Sequence, residues 1–180
     1  MNRRDFLRRT SLAALSTAVP SGAYPGPDGV PGRVLTADQW RTLALVQDHL
    51  LPSEPGAPGS RDIRATAYLD AVLADPDLDL DTRAFVLHGI GWLDDLAREI
   101  AGHPFVVVEA GPREDLLRRI GDTPAGDRWL SSLIAYTLEA LLADPLYGGN
   151  PGGIGWVWLD HDPGRPRPTP ANLYGRLGNV

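Results

Sequence analysis

Between residues 36 and 144 apolar side chains recur at helical spacing, interrupted at short intervals by Gly, Pro and Asp. Thr36-Ala37-Asp38-Gln39 has the capping-box form, a hydroxyl followed three residues later by Gln, and so predicts a helix start. Trp40, Leu43, Ala44, Leu50 and Leu51 follow on one stripe that only Gln47 breaks, and Pro52 stops the helix. Ser53 to Ser60 read as a Pro/Gly loop. A second helix is predicted from near Asp62 to Pro76, with Ile63, Leu69, Val72 and Leu73 inward. The third is predicted over Thr82 to Ala101, with Phe85, Gly89, Trp92, Leu93, Leu96 and Ile100 on its buried stripe. An aspartate of the Asp77 to Asp81 run caps it, and Gly102 suits its C-terminal end. Phe105 to Val108 has strand composition, but no second strand lies nearby, so an extended packing segment is expected. Pro112 fits the first turn of a fourth helix that buries Leu116, Leu117 and Ile120. The fifth runs from Thr123-Pro124 to before Pro145, and its apolar residues cover more than one face, which predicts a central position. The fold class is therefore mainly α, a bundle of about five helices over residues 36–144.

The remaining segment, 145–180, has a different character. It contains eight Gly and six Pro in 36 residues, which excludes a long helix. It also carries Tyr147, Trp156, Trp158 and Tyr174, aromatics that a disordered tail lacks. It is expected to be irregular and ordered by packing, on the bundle or on another protein.

The N-terminus reads as an address rather than as part of the fold. Arg3-Arg4-Asp5-Phe6-Leu7-Arg8 resembles a twin-arginine export signal, with Arg3, Arg4, Phe6 and Leu7 as its recognition positions. The mild apolar run Leu12 to Val19 is too short to span a bilayer. Ser21-Gly22-Ala23 offers small residues for cleavage, so residues 1–23 form the signal and 24–35 a Gly/Pro linker. The expected destination is the periplasm or the outer face of the cytoplasmic membrane. Removing residues 1–23 takes away four arginines and one aspartate, which changes the formal charge from −6 to −9. That acidity argues against a nucleic-acid partner. The twin-arginine route carries folded cargo, mostly cofactor proteins or complexes assembled before export.

The candidate chemistry is sparse. All 17 basic residues are arginine, so Schiff-base and P-loop lysines are excluded. Cysteine is absent, which removes disulfides, thiol catalysis and thiolate metal sites. The four histidines have no metal-ligand spacing. Asp160-His161-Asp162 is the densest ligand cluster and supports an alternative reading as a stand-alone periplasmic metal enzyme. Against it, adjacent side chains in an extended segment point to opposite sides. A ligand-binding protein using its tryptophans as a stacking platform is a further alternative. Asp94 and Asp95 on the third helix read as a solvated acid pair. The glycine-rich stretch Gly148 to Gly155 fits neither a dinucleotide fingerprint nor a P-loop. It reads as a compact loop where two backbones meet, with Trp156 and Trp158 as interface anchors or core.

Asp144-Pro145-Leu146-Tyr147-Gly148-Gly149-Asn150, followed by Gly155-Trp156, resembles the gluconate 2-dehydrogenase subunit 3 family. These are small or gamma subunits of membrane-associated, FAD-dependent sugar and sugar-acid dehydrogenases. Leu50-Leu51-Pro52 with Pro55-Gly56-Ala57, Tyr68-Leu69-Asp70, His103-Pro104-Phe105 and Arg113 to Leu117 agree with the family pattern in the same order. The resemblance spans about residues 36–160 and the export signal. It implies a helical accessory subunit that binds a flavoprotein of the glucose–methanol–choline type, aids its maturation and supplies the export signal to the twin-arginine translocase for both. FAD is expected in that partner, and haem c in a cytochrome c subunit where one is present. No catalytic, cofactor-binding or metal residue is implied in this chain. Tyr147, Gly148, Gly149, Asn150, Gly155 and Trp156 are implied as partner-interface or structural positions. After Gly-Trp the family often continues with a basic residue and a Gly-Phe-Pro-Gly turn, whereas here Val157 to Gly164 and a Pro/Arg tail follow.

Overall fold

The computed structural model describes residues 33–172. The export-signal positions Arg3, Arg4, Phe6 and Leu7, and most of the 24–35 linker, lie outside the described residues.

The described residues form six α-helices: α1 (Ala37–Leu50), α2 (Ala65–Leu73), α3 (Leu80–Ala101), α4 (Ala110–Gly121), α5 (Pro124–Leu142) and the short α6 (Ile154–Trp158). Each start has a local cause. At α1 the capping box closes in both directions: Gln39 N–H donates to Thr36 Oγ1 at 3.3 Å, and Thr36 N–H to Gln39 Oε1 at 2.9 Å. At α3 Asp79 accepts the Thr82 N–H at 2.8 Å, so the helix begins two residues before the expected Thr82. At α5 Thr123 accepts the Gly126 N–H at 3.0 Å, with Pro124 in the first turn.

Three elements differ from the hydrophobic pattern. α2 starts at Ala65 rather than near Asp62, because Arg64 takes a left-handed φ of 56° and interrupts the turn. Asp62 instead organises the loop after α1, accepting from the Ser53 hydroxyl at 2.7 Å and the Gly59 N–H at 2.8 Å. Those two bonds hold its carboxyl below the usual range, against a smaller opposing effect of burial. The buried line of α3 runs through Val86, Ile90, Leu93 and Ala97 together with Gly89, one position round from the expected stripe. Trp92 and Ile100 are left exposed, and Trp92 packs edge-to-face with Phe85 at 5.6 Å. Finally, Phe105–Val107 is a 3-10 turn, not an extended segment. Asp94 accepts the Phe105 N–H at 3.0 Å and so belongs to the fold, while Asp95 faces solvent.

α5 is the central element, in contact with α1, α2, α3, α4 and α6. Trp129 makes its crossing with α3: the indole is fully buried and donates from Nε1 to the Val86 carbonyl at 3.0 Å. Gly89 permits that approach, since a Cβ there would lie 2.1 Å from the Trp129 ring. The main core joins Leu43, Val46, Leu69, Leu93, Phe105 and Trp129. Gln47, the polar break in the α1 stripe, is fully buried and satisfied. Its Nε2 donates to Thr137 Oγ1 at 3.2 Å, and its Oε1 accepts from Thr66 Oγ1 at 2.7 Å. A second, smaller apolar cluster of Ile63, Ala65, Ala140 and Leu141 lies where α2 meets the end of α5. The glycine-rich segment is built on that cluster.

Candidate functional site

The chain leaves α5 at Ala143 and turns back over the second cluster through two 3-10 turns, Pro145–Tyr147 and Pro151–Gly153, into α6. Asn150 holds this return. It is fully buried and adopts a left-handed φ of 47°, a conformation Asn tolerates better than other side-chain-bearing residues. Its backbone N–H donates to the Ile63 carbonyl at 2.9 Å. Its Nδ2 donates to the Ala143 carbonyl at 3.0 Å, and its Oδ1 accepts the Gly155 N–H at 2.7 Å. One residue thus ties the loop before α2 through its backbone, and the end of α5 and the start of α6 through its side chain.

The glycines beside it have different tasks. Gly149 and Gly155 are buried against the end of α5. A Cβ at Gly155 would lie 2.1 Å from the Leu141 carbonyl oxygen, and one at Gly149 would lie 2.8 Å from the Ala140 oxygen. Both are close-approach positions that a larger residue would force apart. Gly148, at φ 98°, faces open space and supplies only the turn. Trp156 is buried and donates from Nε1 to the Leu142 carbonyl at 2.8 Å. That carbonyl belongs to the last turn of α5, where no intrahelical donor remains.

Residues 37–164 match the family described as gluconate 2-dehydrogenase subunit 3. The chain belongs to this family. No curated protein and no solved structure is detectably similar to it. Membership implies an accessory subunit of a dehydrogenase, and the Gly/Asn/Trp segment that carries the resemblance forms the return just described. Among its six motif positions, Gly149, Asn150, Gly155 and Trp156 are buried by this chain's own backbone, whereas Tyr147 and Gly148 are exposed.

Two further residues, Asp144 and Arg167, complete the segment. Asp144, the first residue of the motif, accepts the Leu146 N–H at 3.0 Å and the Arg167 Nε at 2.9 Å. The Arg167 guanidinium lies over the Trp156 ring, 4.8 Å from its centroid. Arg167 therefore folds the Pro/Arg tail back onto α6. The only sequence signal for this was a run of Pro and Arg, which carries no register. Between the tail and α6 lies a cleft of about 660 Å³, lined by Pro145, Gly153, Trp156, Asp160, His161 and Arg167 among others. Asp160, His161 and Asp162 are all exposed at its mouth. They do not converge: no group of three or more His, Asp or Glu among the described residues is placed to hold a metal ion.

On the inner side, Tyr68 packs beneath Gly149 and points its hydroxyl towards Glu139 at 3.5 Å. Burial first, and then the Glu139 charge, push its phenol up to about 12. Tyr136 is pushed up by the same two causes.

The outer surface of this region is apolar. Of the twelve large hydrophobic side chains exposed among the described residues, eight fall between 138 and 159. Leu138 and Leu142 are one turn apart on α5, and Val157, Trp158 and Leu159 stand on and just after α6. The Trp156–Leu142 hydrogen bond sets α6 beside the end of α5. No helix among the described residues is long and apolar enough to cross a membrane.

Proposed function

We propose that this chain is the non-catalytic accessory subunit of an exported, FAD-dependent sugar or sugar-acid dehydrogenase of the glucose–methanol–choline type. It binds the folded flavoprotein, aids its maturation and carries it through the twin-arginine route on the strength of its own N-terminal signal. The destination is the periplasm or the outer face of the cytoplasmic membrane. FAD resides in the partner, and a cytochrome c subunit with haem c is the onward electron carrier where the complex contains one. The observation that carries this reading is the family match over residues 37–164. The apolar surface displayed by the α5–α6 end supports it, since isolated soluble proteins rarely expose such clustering without a partner.

The test is purification of the tagged full chain from its native host, with mass spectrometry and a flavin absorbance scan of the eluate. A large flavoprotein at near-equal amounts is the expected result. A colourless, monomeric product would overturn the reading. A second arm replaces Arg3 and Arg4 together with Lys. The dehydrogenase and its escort should then both remain in the cytoplasm, and continued export of the flavoprotein would remove the co-export role.

A further inference from the structure

We infer that Asp144 and Trp156 form a guanidinium-binding site, that Arg167 fills it from within the chain, and that residues 163–172 are thereby a displaceable strap over the cleft beside α6. The site is independent of the accessory role proposed above, and the ligand class it takes is an arginine side chain on an extended segment.

Both walls of the site are built without Arg167. The Asp144 side chain is 12% exposed, and its Oδ1 accepts the Leu146 N–H at 3.0 Å at the start of the Pro145–Tyr147 turn. The Trp156 ring is anchored through Nε1–H on the Leu142 carbonyl at 2.8 Å. Gly153 abuts that ring so closely that a Cβ there would lie 2.9 Å from its Cε3. A carboxylate and an aromatic face fixed in advance lose little entropy when a cation arrives. The form of the cation is also set. Nε and Nη2 of Arg167 both lie 2.9 Å from Asp144 Oδ2, while the guanidinium carbon stands 4.8 Å from the Trp156 ring centroid. A planar fork meets the carboxylate along its edge and the ring with its face. A lysine ammonium is a point charge and cannot do both in this way.

The strap is lightly attached. Pro163, Pro166, Pro168 and Pro170 have no backbone N–H to give. Thr169 and Asn172 bond to each other. Among the described residues, Arg167 supplies the hydrogen bond and the ion pair that join 163–172 to the bundle. Its side chain is 50% exposed, so water and salt reach the pair. Both walls lie inside the segment that matches the family, 37–164, and the occupant lies outside it. The receptor is therefore part of the folded family segment, and the tail is a tethered ligand for it.

The test follows the tryptophan indole N–H signals of the full chain by nuclear magnetic resonance, with Trp156→Phe to assign the one at Trp156. Arg167→Ala should shift that signal, Arg167→Lys should not restore it, and Arg165→Ala should leave it in place. Arg167 is half exposed, and a melting curve verifies that each variant keeps the fold. The synthetic peptide of residues 163–172 is then added. It should return the Trp156 signal of the Arg167→Ala chain towards its wild-type position at about millimolar concentration, the effective concentration of a short tether. The wild type, already filled, should need at least about tenfold more peptide for any response. The same peptide with Arg167→Ala should have no effect on either chain. A Trp156 signal unmoved by Arg167→Ala would overturn the site. A signal that moves but does not return with the arginine peptide would overturn the exchangeable strap. Equal return with the Arg167→Ala peptide would show that the cleft reads the proline backbone, and would overturn the guanidinium as its ligand.

Discussion

Replacing Asn150 by Ala removes the staple on which the C-terminal segment rests. Two side-chain hydrogen bonds disappear, Nδ2 to the Ala143 carbonyl and Oδ1 from the Gly155 N–H. Gly155 is buried, so its N–H is left without a partner, at a cost of about 1–3 kcal/mol. The Ala143 carbonyl is half-buried and its loss costs about 1 kcal/mol. Ala must also hold the left-handed φ of 47°, which costs it roughly 1 kcal/mol more than Asn. The sum is about 3–5 kcal/mol, a large share of the roughly 5–15 kcal/mol that holds a domain together. Urea unfolding followed by tryptophan fluorescence reads this directly. Asn150→Gly separates the two causes: it relieves the backbone strain and still lacks both side-chain bonds, so it should recover only about 1 kcal/mol of the loss. Asn150→Asp keeps an acceptor for Gly155 but faces the Ala143 carbonyl with a carboxylate, and it should fall near the Ala variant at neutral pH. Ala and Gly variants both within about 0.5 kcal/mol of wild type would refute the staple, because neither lost bond would then matter.

Gly89→Ala should destabilise the isolated chain by at least about 2 kcal/mol, because the new Cβ meets the fully buried Trp129 ring, and equilibrium unfolding with no loss would show that α3 and α5 do not cross there. Asp70 accepts the backbone N–H groups of Arg33, Val34 and Leu35 at 2.6–3.0 Å and so fastens the entering chain to α2. Asp70→Asn should speed tryptic cleavage after Arg33, and an unchanged cleavage rate would refute the clasp. Tyr68 favours its neutral form in the folded state, with its phenol at about 12 against an ordinary value near 10. Its contribution is therefore complete below about pH 10 and is lost as pH rises towards about 12. Tyr68→Phe should flatten the alkaline stability profile in that window, and a profile of unchanged slope would contradict the assignment.

The bundle was legible because its signals are local. The capping box at Thr36, the Pro124 and Thr123 start of α5 and the glycine after α3 depend only on near neighbours, and each has the expected role. The buried line of α3 was harder. Phe85, Trp92, Leu96 and Ile100 are as apolar as Val86, Ile90 and Leu93, so periodicity left two adjoining stripes to choose from. The choice is made by Trp129 on α5, which needs the Gly89 notch and the Val86 carbonyl. No pattern within α3 contains that information. The same limit applies to Asp62 and Arg64. A helix-start reading of Asp62 is locally reasonable, but Ser53 and Gly59 compete for its carboxylate across the loop. Asp70, Gln47 and Arg167 act on residues 35, 90 and 23 positions away, so they gave no local signal.

The motif that carries the family resemblance also divides more finely than a sequence could show. Tyr147, Gly148, Gly149, Asn150, Gly155 and Trp156 read alike as partner-interface or structural positions, and four of them are enclosed by their own chain. Their requirement for Gly, Asn and Trp follows from internal geometry: close approach to the Ala140 and Leu141 backbone, a left-handed turn, and a donor for the last carbonyls of α5. A recognition surface does not need such strict chemistry, because apolar contacts tolerate exchange among residues of similar size. The exposed side chains of the segment, Leu142, Val157, Trp158 and Leu159, carry no such internal requirement. The departure of this chain from the family pattern after Gly-Trp therefore falls on exposed side chains rather than on the buried Gly, Asn and Trp positions. A backbone fixed by internal contacts leaves the outward side chains of this segment as the place where a preference among dehydrogenases would reside. If so, transplanting residues 157–162 between two members of the family should exchange their partners without changing their stability. Exchange of stability without exchange of partner would place the specificity elsewhere on the bundle.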